Sequence, residues 1–363
     1  MRRSLSILLC AAMIGCTLGA CGGIPKNEPD AIRTDSVSDT PESQDVREDR
    51  EPGGVVLMRI GHAQTEQSPR HRSLLSFQKN VQERTNGGIV VEIYPNGQLG
   101  DETSMTVDVS NGLLEAVRGG DLEFLPETGA LSLPMLADTI EEARELCYSD
   151  YVSEMLSTVE INHNMKVLAV GDDSGFRQFT NSVREIRKPE DMKGLRFRVP
   201  PLQVIDTAVT AFGATTVTIP FTELYAGLLD SSVDGQENPL ALIDSSHFYE
   251  VQKYCTIIDY MFCVELMYVN LDWWNSLSGE YQTILTDAAR QMMDECAEIT
   301  DEENAGYIRH ISGNGCKVTR LSRAERQAFL PFAKTAWQNY IDEGRMTKQE
   351  LEKLLSVIGK SVE

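Results

Sequence analysis

The stretch "VVLMRIGHA" (55–63) and the later stretch "GIVVEIY" (88–94) decide how the folded part of this chain is built. Both are short apolar runs rich in β-branched residues, which is typical of buried strands. The intervening segment 68–86 places three large apolar side chains on one helical face and then stops at Asn86-Gly87-Gly88. These side chains are Leu74, Phe77 and Val81. Two strands joined by a helix predict a β-α-β unit.

The same alternation of strands and helices continues to the end of the chain. It predicts strands at 113–118, 165–170, 176–180, 195–199, 264–270 and 316–321, and helices at 101–112, 139–158, 202–212, 221–230, 322–344 and 347–359. This order indicates an α/β fold with mainly parallel sheets covered on both faces. A proline-free run from Ser278 to about Ile311 predicts a helix of roughly 45–50 Å. We therefore predict two lobes, joined by crossing strands, with a ligand cleft between them and one long helix spanning both.

The amino-terminal end predicts export and a lipid anchor. Residues 1–20 carry two arginines and then the apolar run "SLSILLCAAMIGCTLGA" (4–20), which suits a signal peptide and is too short for a comfortable membrane span. Leu18-Gly19-Ala20-Cys21 resembles the bacterial lipobox, so we expect an acylated Cys21 at the mature amino terminus; the alternative is a plain secretory signal. Residues 21–54 are rich in Gly, Pro, Ser, Asp and Glu, and they predict a flexible acidic linker.

Composition excludes some classes of partner. The chain has 363 residues and a formal net charge of −22, which argues against nucleic acid because phosphate binding needs clustered Lys and Arg. Five cysteines remain beyond Cys21, an odd number without C-x-x-C spacing, so neither a zinc site nor a full disulfide framework is expected. We predict buried free thiols at Cys147, Cys255, Cys263, Cys296 and Cys316.

Motifs for catalysis are missing from the sequence. It has no G-x-S-x-G elbow, H-E-x-x-H helix, Walker A loop or G-x-G-x-x-G fingerprint, and its five histidines lack ligand spacing. We expect no enzyme activity, metal or cofactor. Basic residues inside apolar strands stand out instead, because "GLRFRVP" (194–200) puts Arg196 and Arg198 on one strand face and "GFRQFT" (175–180) places Arg177 between aromatic residues. A solvated outer face is the alternative for the first pair.

Five collinear strings then resemble one family. They are "YPNGQLGDE" (94–102), "DMKGLRFRVP" (191–200), "FTELYAGLLD" (221–230), "VDGQENPL" (233–240) and "FYEVQKY" (248–254). Together they resemble the solute-binding subunits of TRAP transporters, the DctP-like receptors for organic acids, from about Ile60 to Thr286. The resemblance implies a two-lobed fold like that of the periplasmic binding proteins. It also implies a small carboxylate-bearing ligand and membrane permease subunits as partners.

The resemblance also implies particular ligand-binding residues. Arg198 falls on the family arginine that binds the ligand carboxylate, and Arg177 falls on a second family arginine. Asn238 is the asparagine of the "DGQENP" segment, which we interpret as a polar turn that closes over the cleft, and Phe221 supplies an apolar wall. Arginine suits this role because its planar fork of donors matches a carboxylate bidentately.

One departure from the family concerns Arg118. Sialic-acid-binding members have a glutamate in the corresponding stretch, whereas this chain has Arg118-Gly119-Gly120. We include Arg118 among the candidate ligand-binding residues, where it would suit a second acidic group or a sugar acid, and a solvent-facing side chain is the alternative. The distal end of the ligand is left open.

Two functions of different class follow from these observations. The first is an extracytoplasmic receptor, tethered to the cell membrane by lipid on Cys21, that delivers an organic acid to an ion-gradient-driven permease. The second is a lipid-anchored surface enzyme or adhesin that reuses the same lobes. For the receptor, we predict that lobe I consists of residues 55–174 plus 264–303 and that lobe II consists of residues 175–263 plus 304–363.

Overall fold

Strands and helices alternate throughout residues 54–362, the part of the chain that the computed structural model describes. The strands are β1 (Val56–Gly61), β2 (Ile89–Tyr94), β3 (Ala116–Gly119), β4 (Met165–Asn181), β5 (Arg196–Val199), β6 (Thr215–Thr218), β7 (Gly235–Pro239), β8 (Tyr254–Asn270) and β9 (Lys317–Arg320). The helices are α1 (Pro69–Arg84), α2 (Glu102–Ser110), α3 (Pro126–Gly129), α4 (Ile140–Cys147), α5 (Asp150–His163), α6 (Gln203–Ala211), α7 (Leu224–Leu229), α8 (Leu240–Ser245), α9 (Leu271–Asn275), α10 (Gly279–Gly313), α11 (Arg323–Gln327), α12 (Leu330–Asp342) and α13 (Lys348–Val357). The predicted signal peptide, Cys21 and nearly all of the acidic linker lie outside the described residues.

The first β-α-β unit forms as its sequence predicts. β1 and β2 pair in parallel with Val56 opposite Ile89. Helix α1 begins at Pro69, and the Ser68 side chain caps it by accepting a hydrogen bond from the backbone N–H of His71 at 3.2 Å. Just beyond the helix, Asn86 adopts a left-handed conformation with φ of 50°, which turns the chain into β2.

The nine strands of residues 54–362 join in one sheet. Its order is β2-β1-β3-β8-β4-β7-β5-β6, and β9 pairs with β8. Strands β4 and β8, each of 17 residues, run antiparallel through the middle, whereas the sequence predicts shorter strands at 165–170, 176–180 and 264–270. The outer pairs β1-β2 and β5-β6 are parallel, as predicted. The two ends of this sheet form the two lobes of the predicted α/β fold, and β4 and β8 cross between them.

The long helix predicted from Ser278 is confirmed as α10, which has 35 residues. At 1.5 Å per residue it extends about 50 Å. Ser76 of α1 donates a hydrogen bond to Glu295 of α10 at 2.7 Å, while His310 of α10 lies 2.6 Å from Asp244 of α8. Helix α10 therefore packs on elements of both lobes.

Two predicted helices are broken into shorter ones. The segment 139–158 forms α4 and α5 because Ser149 caps a new helix by accepting from the backbone N–H of Val152 at 3.2 Å. The segment 322–344 likewise divides into α11 and α12. Across residues 54–362 no helix has the length and apolar character needed to cross a membrane.

Candidate ligand-binding site

A cavity of about 350 Å³ lies where the two lobes meet. Its size is in the range of small-molecule sites. Most of its walls are built at the carboxyl ends of strands, where open α/β sheets bind ligands. The lining side chains used below are Gln64, Glu102, Asp121, Arg177, Arg198, Phe221 and Asn238.

Arg198 is the most unusual side chain of the cavity. It is only 1% exposed, and its Nε donates to the carbonyl oxygen of Ile219 at 2.7 Å. Neither Nη atom makes a hydrogen bond or salt bridge with any residue in 54–362. Burial lowers the pKa of Arg198 to about 10, and the nearby Glu237 opposes this change. The cavity thus holds a buried cation with an open fork of donors.

Arg196 differs from Arg198 although the two share a strand face. Arg196 opens β5 and is exposed, and its guanidinium pairs with Asp234 at 3.0 Å. Arg198 lies two residues nearer the carboxyl end of β5, which borders the cavity. The alternation of faces along a strand cannot distinguish these two arginines. Their different positions along β5 make Arg196 a surface residue and Arg198 a buried one.

Arg177 also lines the cavity, but its charge is already matched. Glu237 binds the guanidinium through Nε and also through Nη2, the latter at 2.8 Å. Arg177 Nη2 further donates to Asn238 Oδ1 at 3.2 Å. The Tyr260 hydroxyl donates to Glu237 Oε2 at 2.5 Å. These contacts fix the Arg177 side chain, so the two candidate arginines differ in how much charge each offers a ligand.

The interpretation of "DGQENP" as a polar turn is wrong. Residues Gly235–Pro239 form β7, a buried strand between β4 and β5. Its polar side chains have internal partners, since Gln236 Nε2 donates to Thr180 Oγ1 at 2.8 Å and Asn238 Nδ2 donates to Gln236 Oε1 at 2.5 Å. A polar segment can be buried when its groups are satisfied in this way. Asn238 lines the cavity from the strand, with its amide held by neighbours.

Gly235 gives a local reason for the strand. A Cβ atom at this position would lie 2.4 Å from the backbone oxygen of Thr180. Only glycine lets β7 approach β4 so closely. Such a glycine in a polar segment is a signal of close backbone approach that the turn interpretation missed.

Phe221 stands just after β6 and is half-buried at the cavity. Its ring packs edge-on against Phe248, with centroids 6.0 Å apart. The structure therefore brings Phe221, Arg177, Arg198 and Asn238 together around one cavity. Their contact with a ligand stays a prediction.

Arg118 is placed elsewhere. It is fully buried behind the cavity and does not line it. Its Nη2 donates to Glu265 at 2.7 Å, and its Nη1 donates to Ser73 Oγ at 2.7 Å and to the Arg70 carbonyl at 2.9 Å. These partners take up the Arg118 charge, so this arginine supports the wall and we no longer count it among the candidate ligand contacts.

The sequence patterns did not reveal a second part of the cavity lining, which we call the acceptor wall. It consists of Gln64, Glu102, Asp121 and Asp173. Gln64 and Asp121 follow the carboxyl ends of β1 and β3, so the rule that ligands bind at these ends was the available signal. Gly119 matters here because a Cβ atom would lie 2.2 Å from Glu102 Oε1. Because Gly119 has no Cβ atom, Glu102 Oε1 has room to accept a hydrogen bond from the Gly120 N–H at 2.7 Å.

Asp121 has an unusual environment in this wall. Its Oδ2 accepts a hydrogen bond from the Ser132 hydroxyl, and its Oδ1 has no partner within residues 54–362. Burial raises the pKa of Asp121 to about 7, against the lowering effects of Ser132 and Arg177. The carboxyl group therefore changes protonation near neutral pH.

A cluster of possible metal ligands includes Asp173 of the acceptor wall. One ligand atom from each of Asp173, Glu265 and Cys296 lies within 4.8 Å of the others. Arg70 pairs with Glu265 at 2.5 Å and with Asp173 at 3.2 Å, and Arg118 also pairs with Glu265. These arginines balance the carboxylates without an ion. Cys296 and the other four predicted thiols are free and buried, which confirms that prediction.

Comparison with known proteins matches this architecture. The family model described as bacterial extracellular solute-binding protein, family 7 (DctP) matches residues 60–343. A solute-binding protein of Verminephrobacter eiseniae is 30% identical over 304 residues, 83% of this chain and 89% of the relative. The 2,3-diketo-L-gulonate-binding periplasmic protein YiaO of Escherichia coli is 26% identical over 275 residues, 75% of this chain and 83% of the relative.

Solved structures show the same fold. A TRAP periplasmic solute-binding protein of Haemophilus influenzae with bound L-gulonate has a TM-score of 0.78 at 27% identity, covering 83% of this chain and 99% of that chain. One of Desulfovibrio salexigens with bound orotic acid has a TM-score of 0.76 at 30% identity, covering 83% and 98%. The sugar acid-binding protein of Advenella mimigardefordensis in complex with galactonate has a TM-score of 0.79 at 26% identity, covering 84% and 98%.

Proposed function

The chain belongs to family 7 of the bacterial extracellular solute-binding proteins, and from this premise we propose that it is the receptor of a TRAP transporter that captures a small organic acid. The observation that carries the proposal is Arg198, a buried cation that lines the cavity and has no anionic partner within residues 54–362. Burying an unpaired charge is costly. A ligand carboxylate is the missing partner.

The proposed clamp uses the cavity residues in different roles. The ligand carboxylate accepts two hydrogen bonds from the Arg198 fork, a geometry that arginine favours. Arg177, held by Glu237, lines the same cavity and borders the ligand there. Asn238 lies next to Arg177 in the same wall, and Phe221 covers the carbon chain of the ligand. The cavity binds and holds the acid without transforming it.

Binding is proposed to close the two lobes on the ligand. We place lobe I at 55–174 plus 264–303 and lobe II at 175–263 plus 304–363. The register of β4 against β8 shifts between Asp172 and Phe176, beside the first boundary. Hinge closure around a ligand is a common motion of two-lobed binding proteins. The closed form would then deliver the acid to membrane permease subunits driven by an ion gradient.

The proposed location is the outer face of the cell membrane. The signal peptide would be removed and Cys21 acylated, leaving the receptor tethered through the acidic linker. Mass spectrometry of the mature chain should show a lipid-modified Cys21 as its first residue, and Cys21→Ser should leave the chain unprocessed or released from membranes. An unmodified amino terminus at another residue would contradict the anchor.

Calorimetry on the purified protein tests the receptor itself. An organic acid should bind with one ligand per chain and be recovered unchanged after prolonged incubation. Arg198→Lys should bind it at least tenfold more weakly, because an ammonium cannot reproduce the planar fork. Arg196→Lys is the matched control on the same strand and should keep wild-type affinity. Steady conversion of the acid to a product would contradict a receptor.

A further inference from the structure

The two sides of the cavity offer a ligand opposite kinds of group. On one side Arg198 presents unpaired donors. On the other, the acceptor wall presents side-chain oxygens. This difference indicates the class of ligand, because each buried polar group of the cavity needs a complementary group on the ligand.

Gln64 is the best defined member of the acceptor wall. Its side chain is only 3% exposed. The Nε2 atom donates to both oxygens of Asp173, at 3.1 and 2.8 Å. Because only the NH₂ end of an amide can donate, these contacts fix its orientation. The Oε1 atom is thereby left as a buried acceptor with no partner within residues 54–362.

Asp121 and Glu102 add further free acceptors. Asp121 Oδ1 has no partner among the described residues, although Oδ2 is bonded to Ser132. Glu102 uses only Oε1, which accepts from the Gly120 N–H at 2.7 Å and from Arg70 Nη1 at 3.2 Å. Its Oε2 makes no hydrogen bond to any residue in 54–362. Gln64 and Glu102 thus each expect a donor, and Asp121 does so in its ionised form.

The cation on this side of the cavity is already neutralised. Arg70 pairs with Glu265, Asp173 and Glu102, at 2.5, 3.2 and 3.2 Å. Behind it, Arg118 pairs with Glu265. Within residues 54–362 this side of the cavity therefore offers no unpaired cation to a second carboxylate on the ligand.

We propose that the ligand is a monocarboxylate bearing several hydroxyl groups, as in the aldonic acids, with its carboxylate on Arg198 and its hydroxyls donating to Gln64, Asp121 and Glu102. This inference rests on the proposed function and narrows it. A hydroxyl is a neutral donor, so it satisfies these oxygens without a second charge. A site built to bond hydroxyls rejects analogues that lack them, since its own buried groups are then unpaired.

Calorimetry on the full chain with acids matched in length provides the test. Aldonates of four to six carbons are compared with four other compounds. Hexanoate lacks hydroxyls, adipate has a second carboxylate and 6-aminohexanoate has an ammonium group. Sorbitol has hydroxyls but no carboxylate. At least one aldonate should bind, and the other four compounds should each bind at least about 100-fold more weakly.

The outcomes distinguish a failure of the hydroxyl inference from a failure of the proposed receptor function. If adipate, hexanoate or 6-aminohexanoate binds as tightly as the best aldonate, the hydroxyl inference fails while the receptor function stands. If no aldonate binds, the hydroxyl inference also fails. If sorbitol binds as well as the aldonates, the carboxylate receptor itself fails.

Variants of the acceptor wall make the test specific. Gln64→Met keeps the length of the side chain and removes the acceptor, so it should weaken the best aldonate at least tenfold. Its affinity for hexanoate, measured by competition, should stay within about twofold of wild type. Asp108→Asn, on α2 and away from the cavity, is the control and should change neither affinity. Equal losses for both ligands in Gln64→Met, or no loss for either, would overturn the assignment.

Discussion

Replacing Arg198 by methionine should abolish ligand binding without destabilising the ligand-free protein. Most buried arginines stabilise a fold through their partners. Arg198 has one internal hydrogen bond, from Nε to the Ile219 carbonyl, and no carboxylate partner within residues 54–362. Methionine has a similar length and fills irregular space well, so the substitution removes the charge without leaving a large void.

The magnitude follows from the pKa. Burial lowers the pKa of Arg198 to about 10, from an ordinary value above about 12. A tenfold change in proton affinity corresponds to about 1.4 kcal/mol, so the folded state carries a penalty of about 3 kcal/mol for this charge at neutral pH. Losing the bond to Ile219 costs about 1–3 kcal/mol. The unfolding free energy of Arg198→Met should therefore equal that of the wild type or exceed it by up to about 2 kcal/mol.

The effect on binding should be opposite and larger. Truncating one partner of a buried charged pair typically costs about 2–5 kcal/mol, which corresponds to roughly 30- to 4,000-fold in affinity. Urea denaturation without ligand gives the first quantity, and calorimetry with the bound acid gives the second. Ligand-induced stabilisation, which is about 2.7 kcal/mol at a hundredfold excess over Kd for the wild type, should vanish in the variant.

Arg118→Met is the matched control. Arg118 is as deeply buried as Arg198, but it pairs with Glu265 at 2.7 Å. Removing Arg118 takes away one of the positive partners of the buried Glu265 carboxyl group, so it should lower the unfolding free energy by about 3–5 kcal/mol. If Arg198→Met lost as much stability as Arg118→Met, or if it kept wild-type affinity for the acid, the assignment of Arg198 as an anion receptor would be refuted.

Three further substitutions test neighbouring parts of the structure. Glu237→Gln leaves Arg177 without its carboxylate, so it should lower the unfolding free energy by about 3–5 kcal/mol and enlarge the stabilisation by ligand, both measured by denaturation with and without the acid. Asp121 has a pKa raised to about 7 by burial, so its contribution to stability is complete below pH 4 and is lost as the pH rises through 7. Unfolding free energies of Asp121→Asn should therefore fall less steeply than those of the wild type between pH 5 and 8, and parallel curves would contradict the burial. Gly235→Ala forces a Cβ atom to within 2.4 Å of the β4 backbone and should cost about 1–3 kcal/mol. In α10, a Cβ atom at Gly306 would meet only the flexible Arg309 side chain, at 3.9 Å, so Gly306→Ala should stabilise by up to about 1 kcal/mol. Equal effects on the melting temperature would count against the close approach at β7.

Local patterns predict most of the secondary structure because they depend on neighbouring residues. The apolar face of Leu74, Phe77 and Val81 predicts α1, and the proline-free run after Ser278 predicts α10. The failures lie where a local signal is ambiguous. A serine can sit inside a helix or cap a new one, and Ser149 does the second.

The sequence by itself determined the α/β class, the long helix, the free thiols and, through family resemblance, the candidate residues Arg177, Arg198, Phe221 and Asn238. These follow from periodicity, composition and motif, which are properties of the chain read in order. Only the tertiary structure decided that "DGQENP" is a central strand, because its burial depends on partners such as Thr180, far away in the sequence. For the same reason it alone distinguished two buried arginines: Arg118 meets a carboxylate from β8, and Arg198 meets none within residues 54–362. Charge pairing is set by residues that folding brings together, and a linear pattern does not contain that information.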